Sequence, residues 1–431
     1  MSEEQVKIHV TGLAHGGEVI GRPEETSTDQ RKVFVRGGIP GEQVLVQVTE
    51  EHKNFRRGVL QSVVVASPHR TLAPCPYFGA CGGCDYQHIS ISAQRSFKRE
   101  MVESMLKRQA GLSPSGGVHL LGESLPSFEY RRRVTLHVGR AGGAAGSSSG
   151  PKLGFYREGS GDVVDLSVCM LATPKINCTI QQLRGLLPVL ESSIDALVIE
   201  EHEGDIFVAA KLREDALERV DHEESPALKA LSEEFDNLAI LDHERPLFSQ
   251  YKRQPEVVEQ RVFPTGRFSQ INTEGNAVLV EQVLKLVSHP EVTDLYAGAG
   301  NFSLPLAASG RLVDAVELDK ELIEMGERLA FSNRIPSDRL FFHLGSCEQF
   351  VQRNPLRATV LLDPPRSGAD AVAKALDSKV TKQVIYVSCG LPTLCRDAKT
   401  LTARGYTLKK AWVVDMFAQT HHVETISLFE V

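Results

Sequence analysis

The chain has no apolar run long enough to span a bilayer. Its start, Met1-Ser-Glu-Glu-Gln5, has neither the basic residues nor the apolar stretch of a signal peptide. A membrane span and a secretory route are therefore not expected. The cytoplasm is the default location, and disulfides are not expected there. The chain also lacks internal repeats, which argues against a solenoid. It lacks a basic excess: net charge is −7, which argues against indiscriminate nucleic-acid binding. It does not lack local basic clusters. Lys53-Asn-Phe-Arg-Arg57, Arg95-Ser-Phe-Lys-Arg99, Lys107-Arg108 and Tyr130-Arg-Arg-Arg133 are present. Taken singly, such runs read as solvated faces. Two of them interleave aromatics, as base-stacking surfaces do.

With 431 residues the chain can hold two or three domains with real cores. Residues 6 to about 65 read as five or so short strands, among them Val6–Val10, Val33–Val35 and Val44–Val48. Glycine turns at Gly16-Gly17, Gly37-Gly38 and Pro40-Gly41 separate them, which suggests a small barrel. Residues 92–109 carry a helical period. Roughly 126–250 is mixed, with strands at Arg133–Val138 and Ala196–Glu200. The stretch Gly142–Gly150 reads as a flexible loop without a function. From about 265, strands at Val292–Tyr296, Leu312–Val316, Ala358–Leu362 and Gln383–Val387 alternate with helical stretches. That alternation predicts a doubly wound parallel sheet.

Four features of this last region carry chemistry. Asp294-Leu-Tyr-Ala-Gly-Ala-Gly-Asn301 sits at a strand-to-helix junction, where glycines let the backbone approach a ligand. Glu317 ends the next strand and can accept bonds from a ribose diol. The third glycine of the dinucleotide fingerprint is missing, and no basic residue is placed for a pyrophosphate. This favours S-adenosylmethionine over NAD. Asp363-Pro-Pro-Arg366 fixes a carboxylate at the end of the following strand. Finally, Cys389 stands where an apolar strand meets a Gly/Pro turn, which makes it a candidate nucleophile or a packed thiol. Among the other cysteines, Cys75, Cys81 and Cys84 form a tight trio around Gly82-Gly83 that suits a metal. Cys178, Cys347 and Cys395 have no partner pattern and read as packing.

Taken together, Phe268-Ser-Gln-Ile-Asn272, the Asp294–Asn301 loop, Asp363–Arg366, Ser388-Cys389 with Thr393-Leu394 and Arg396-Asp397, and Asp415–Glu424 resemble the RNA uracil-5 methyltransferases. The N-terminal part resembles that family's TRAM barrel, so the likeness covers nearly the whole chain. The resemblance implies a multi-domain α/β protein. An OB-like TRAM barrel would occupy 1–66, and a central α+β RNA-binding domain with an iron–sulfur site 67–262. A Rossmann-like class I methyltransferase domain would occupy 263–431. It further implies Cys389 as nucleophile and Glu424 as general base, with Gln270, Tyr296, Glu317 and Asp363 lining the cofactor site. Cys169 occupies the family's fourth ligand position, so Cys75, Cys81, Cys84 and Cys169 would hold a [4Fe-4S] cluster; spacing alone also allows zinc. His421 and His422 are alternative proton carriers, or surface histidines. Two positions depart from the family pattern: Gly390-Leu391 where Asn-Pro is usual, and Ala418 where proline is usual.

The implied reaction is methyl transfer from S-adenosylmethionine to C5 of a uridine in RNA, by a monomeric cytoplasmic enzyme. 23S ribosomal RNA is favoured over tRNA as substrate. A radical methylthiotransferase would need a C-x3-C-x2-C cysteine spacing, and the first gap here is five residues. An inactive RNA-binding protein would have no need of Cys389 and Glu424.

Overall fold

The computed structural model describes residues 4–25, 27–140, 150–202, 204–217, 225–242, 245–250 and 270–431. Residues 142–149 of the glycine-serine stretch, Phe268-Ser269 and the 262/263 boundary lie outside the described residues. The chain forms two compact units. One comprises residues 1–72, 88–125 and 274–431; the other comprises 73–87 and 126–273.

The first unit begins with strands β1 (Gln5–Leu13), β2 (Val19–Pro23), β3 (Lys32–Val35), β4 (Gln43–Glu51) and β5 (Phe55–Val65). They close into a barrel in the order β1-β2-β3-β5-β4. Alternate residues such as Ile8, Val10, Val33, Val35, Val44 and Val46 point inward and are fully buried, as the period of two requires. Gly58 permits the barrel to close, because a Cβ there would lie 2.3 Å from the Gln47 carbonyl oxygen. Helix α1 (Ile91–Met105) follows, extended by a π-helical turn at Leu106–Ala110, and then β6 (Val118–Leu121). The sequence boundaries place both α1 and β6 in the central segment. In the structure they belong with the barrel and the C-terminal sheet.

The second unit is a seven-stranded sheet of β7 (Arg133–Gly139), β8 (Lys152–Tyr156), β9 (Val163–Asp165), β10 (Ile194–His202), β11 (Asp205–Leu212), β12 (Leu238–Asp242) and β13 (Arg245–Gln250). Helices α2 (Pro174–Leu190) and α4 (Pro226–Glu234) pack on it, and α3 (Glu214–Leu217) is a single turn. Thr173 caps α2 by accepting the Ile176 N–H, with Pro174 in the first turn. The buried row Ile176, Ile180, Leu183, Leu187 and Leu190 recurs at three to four residues and faces Leu136, Leu197 and Val208 of the sheet.

The C-terminal segment adds α5 (Thr273–Leu286), β14 (Glu291–Leu295), α6 (Ser303–Ala308), β15 (Leu312–Glu317), α7 (Lys320–Ser332), β16 (Leu340–Leu344), α8 (Cys347–Arg353), β17 (Thr359–Leu362), α9 (Asp370–Ala375), β18 (Gln383–Ser388), α10 (Leu391–Ala403), β19 (Thr407–Val414) and β20 (Glu424–Glu430). The sheet order is β16-β15-β14-β17-β18-β20-β19-β6. Strands β14 to β18 run parallel, and β20 is antiparallel to both its neighbours. The chain order reverses between β14 and β17, where Leu295 pairs with Leu362. A ligand crevice is expected beyond that point, at the carboxyl ends of the strands. Near-continuous apolar runs such as Val384–Val387 are fully buried, as a sheet covered on both faces demands.

Two expectations are corrected here. The basic clusters are not simply solvated. Arg56 is fully buried against Glu4 and Asp29, and Lys98 and Arg95 are buried against Asp415. Distant carboxylates, invisible to local reading, make that burial possible. Cys178 does not pack: it lies on the exposed face of α2, whereas Cys347 and Cys395 are buried.

Candidate active site and cysteine pocket

Strand register builds the reactive corner. Ser388, the last residue of β18, pairs with Thr425, and the Thr425 hydroxyl donates to the Ser388 carbonyl at 2.9 Å. Because β20 is antiparallel, Cys389 continues past this pair on one strand and Glu424 precedes it on the other. Glu424 is buried, at 6% exposure. Burial, then the neighbouring Asp363, push its carboxyl well above the usual range. Burial also raises the Cys389 thiol, with Glu424 and Asp363 adding to the rise and Arg366 opposing it. The structure thus brings Cys389, Glu424 and Asp363 together. The sequence pattern did not single out Arg366, the cation that favours the thiolate.

The unusual turn behind the nucleophile is well defined. The Ser388 hydroxyl accepts the Gly390 N–H at 3.0 Å, and the Thr393 hydroxyl donates to the Gly390 carbonyl at 2.9 Å. A Cβ at Gly390 would lie 2.8 Å from that hydroxyl. Pro392 then sits in the first turn of α10, where its missing N–H costs nothing. Ala418, the other departure, is buried at 1% exposure.

The glycine loop lies beyond β14. Tyr296 adopts a left-handed φ of 63°, and its hydroxyl donates to Glu348 at 2.8 Å. Such strain is held by surroundings and concentrates at functional sites. Glu317 accepts the Gly298 N–H at 2.9 Å and the Leu318 and Asp319 N–H groups at 2.8 and 2.9 Å. Beside Gly298, no atom lies within 4 Å of where a Cβ would stand, so the backbone faces open space. Asp294 is fully buried, takes a hydrogen bond from Ser303, and keeps Oδ1 unpartnered. Burial pushes its carboxyl up to about 7, and Asp363 and Glu317 reinforce the rise. Burial alone lifts Asp363 to about 7. Gln270 lies in the other unit, next to Ile271, whose carbonyl accepts the Arg132 N–H at 2.9 Å. His421 and His422 are half-buried and packed ring to ring at 4.1 Å, and His421 meets His15 of the barrel at 6.5 Å.

In the second unit, Cys75, Cys81, Cys84 and Cys169 line one pocket with Arg131, Gln87, Phe155 and Met170. Loop bonds aim them inward. Gln87 accepts the Cys75 N–H at 3.2 Å, and Tyr77 accepts the Cys81 N–H at 2.9 Å. Asn177 of α2 accepts the Cys169 N–H at 2.8 Å and donates back to its carbonyl at 3.0 Å. The Gly83 N–H points at the Cys81 sulfur, 3.4 Å away. Burial raises the Cys81 thiol and pushes Cys84 up to about 12. Among the described residues, no three of Cys, His, Asp or Glu converge at the spacing of a single metal ion.

Comparison with known proteins agrees with this geometry. The TRAM domain model matches residues 3–60, and the tRNA (uracil-5-)-methyltransferase model matches 256–430. The 23S rRNA (uracil(1939)-C(5))-methyltransferase RlmD of Halomonas elongata is 33% identical, with 100% of this chain and 90% of the relative covered. Its counterpart in Pectobacterium atrosepticum is 32% identical, over 99% and 94%. The Pyrococcus abyssi tRNA (uracil-54, C5)-methyltransferase, solved with S-adenosyl-L-homocysteine, shares the fold at a TM-score of 0.74 and 23% identity, each chain covered in full. The chain belongs to the RNA uracil-C5 methyltransferase family.

Proposed function

We propose that this protein methylates C5 of a uridine in 23S rRNA, with Cys389 as nucleophile and Glu424 as general base. The observation that carries the reading is the β18–β20 register, which sets a thiol opposite a buried carboxyl at the carboxyl end of the parallel strands. Full-length likeness to rRNA enzymes at about one-third identity favours 23S rRNA over tRNA. The resemblance of the fold to a tRNA enzyme keeps tRNA as the second substrate to try.

C5 of uracil is too weak a nucleophile to take a methyl group directly. The Cys389 thiolate adds to C6, and the C5=C6 electrons move into an enolate that makes C5 a carbanion equivalent. S-adenosylmethionine, when bound, supplies an electrophilic methyl on a sulfonium. The residues of the first unit suited to hold it are Tyr296, Glu317 and Asp363: Glu317 is aimed by three backbone N–H groups, and open space lies over Gly298. Glu424 then takes the C5 proton. The freed electrons re-form C5=C6, the S–C6 bond breaks, and the thiolate leaves. A carboxyl raised by burial becomes a stronger base once ionised. Arg366 helps hold the thiolate. The target uridine must be flipped out of any stack, at a cost of a few kcal/mol.

Cys75, Cys81, Cys84 and Cys169 fit a [4Fe-4S] cluster: four thiols share one pocket, and a sulfur receives a backbone N–H. Around one zinc, sulfurs sit about 3.8 Å apart, from a Zn–S distance of about 2.3 Å. A cubane carries iron at its corners and accepts a wider set. The cluster would brace the second unit. All eight cysteines are free, which suits the reducing cytoplasm, and the reading takes the enzyme as a monomer.

The test is RNA containing 5-fluorouridine, which cannot lose a proton from C5 and should trap the enzyme covalently. Wild type forming no adduct, or Cys389→Ala turning over normally, would sink the mechanism. Labelled methyl transfer into 23S rRNA against tRNA transcripts decides the substrate. Iron and acid-labile sulfide analysis decides the cluster.

A further inference from the structure

We propose that helix α1 positions the base: Gln94, Arg95 and Lys98 clamp the loop that carries Glu424, and so set its approach to the C5 proton. This inference rests on the assignment of Glu424 above. Residues 415–423 join β19 to β20, and the loop is closed at its foot by the pairing of Val414 with Glu424. Three residues of α1, all on one turn, hold three alternate residues of this loop.

Arg95 Nε donates to Asp415 Oδ2 at 3.0 Å, and Lys98 Nζ donates to Asp415 Oδ1 at 2.9 Å. Lys98 Nζ also reaches the Phe417 carbonyl at 2.9 Å. Arg95 is tied from behind by the carbonyls of Glu123 and Leu125. Gln94, fully buried, binds Gln419 twice. Its carboxamide oxygen accepts the Gln419 N–H at 3.0 Å, and its nitrogen donates to Gln419 Oε1 at 2.9 Å. The same nitrogen donates to the Ile89 carbonyl at 2.7 Å, which fixes the amide's orientation.

Gln419 needs this grip. Its φ of 68° is left-handed, a conformation that non-glycine residues hold only when the surroundings impose it. The Gln94 bonds stabilise that backbone five residues before Glu424. Stability alone would not call for such a device, because well-packed apolar residues usually serve as well as buried ion pairs. What buried polar pairs add is a single geometry, and a general base must lie within hydrogen-bond reach of its proton. A displacement of about 1 Å in such a group can cost on the order of 10²-fold in rate.

The experiment compares wild-type enzyme with Gln94→Met on RNA bearing 5-deuterated or ordinary uridine. Gln94→Met keeps the volume and removes the bonds to Gln419. The expected result is a kcat lower by about tenfold to a hundredfold, unchanged KM for RNA and methyl donor, and a larger deuterium isotope effect. The isotope effect rises because C5 proton loss has become the slow step. Gln419→Gly, which relieves the left-handed backbone while deleting the side-chain bond, guards against misfolding and should shift the isotope effect the same way by less. An isotope effect unchanged in both variants, whatever happens to kcat, overturns the proposal, because loss of folded enzyme cannot alter that ratio. A change confined to KM for RNA also overturns it, by making the loop an RNA contact. Absence of the 5-fluorouridine adduct in wild type would instead overturn the role of Cys389. The isotope comparison would still stand, since any C5 methylation must expel that proton.

Discussion

Asp415 and Asp294 are equally hidden carboxyls in one unit, at 2% and 0% exposure, yet they sit on opposite sides of the usual carboxylate range. Asp415 is held below it, because the Lys98 ammonium and Arg95 guanidinium outweigh the burial. Asp294 has only a hydroxyl partner, and burial together with Asp363 and Glu317 carries it to about 7. Glu424 belongs with Asp294: among the described residues no cation answers its burial. A buried carboxylate with cations in contact is a structural tie. A buried carboxyl without them binds its proton more tightly than an exposed one and is available for proton transfer.

Cys389→Ala should bring the largest effect, turnover falling below detection while the fold persists; methyl transfer and circular dichroism check both. Next, Glu424→Gln should slow turnover by about 10²–10⁴-fold. Its methylated adduct should outlast the reaction on a denaturing gel, since addition does not need the base. Lys98→Met should lower stability as well as loosen the loop that carries Glu424. Removing one partner of a buried pair costs about 3–5 kcal/mol, read as a lower urea midpoint. If Lys98→Met proved neutral in urea, the distinction between the two kinds of carboxyl would fail. The smallest effect concerns Asp294→Asn. A folded-state value raised to about 7 means that the folded protein binds more protons than the unfolded one between the ordinary carboxylate range and pH 7. Wild-type stability should therefore fall as pH rises through that window, and the variant should flatten the fall. Melting temperatures at pH 5 and pH 8 measure it.

Four strands of the parallel sheet were legible because they are mostly apolar, largely buried runs between helical stretches, and their ends fall within about a residue of the pattern; β16, half exposed at the edge, was not. Cys389 and Asp363 stood out in the sequence because each follows an apolar strand and precedes a glycine or proline, and Glu317 because it ends the strand after the glycine loop. Arg95 and Lys98 were not. Their burial depends on Asp415, more than three hundred positions away, and a local window shows only a basic, polar helix. Tyr296's left-handed backbone was equally hidden, since nothing in a tyrosine announces positive φ. Arg366 stood in a motif already noticed, but its influence on Cys389 needs the β17 and β18 loops side by side.

The place of β6 bears on how the chain comes to be made. Val118 pairs with Ala411, so the last strand of the C-terminal sheet is synthesised long before its neighbour. Nearly three hundred residues must leave the ribosome in between, and contacts so remote in sequence form slowly. Meanwhile α1 waits with a lysine and an arginine whose counter-charge has not yet been translated. The first unit therefore cannot finish folding in the order of synthesis. Its completion falls to the final residues, and a nascent chain stalled before Asp415 would present an open sheet edge of the kind chaperones bind.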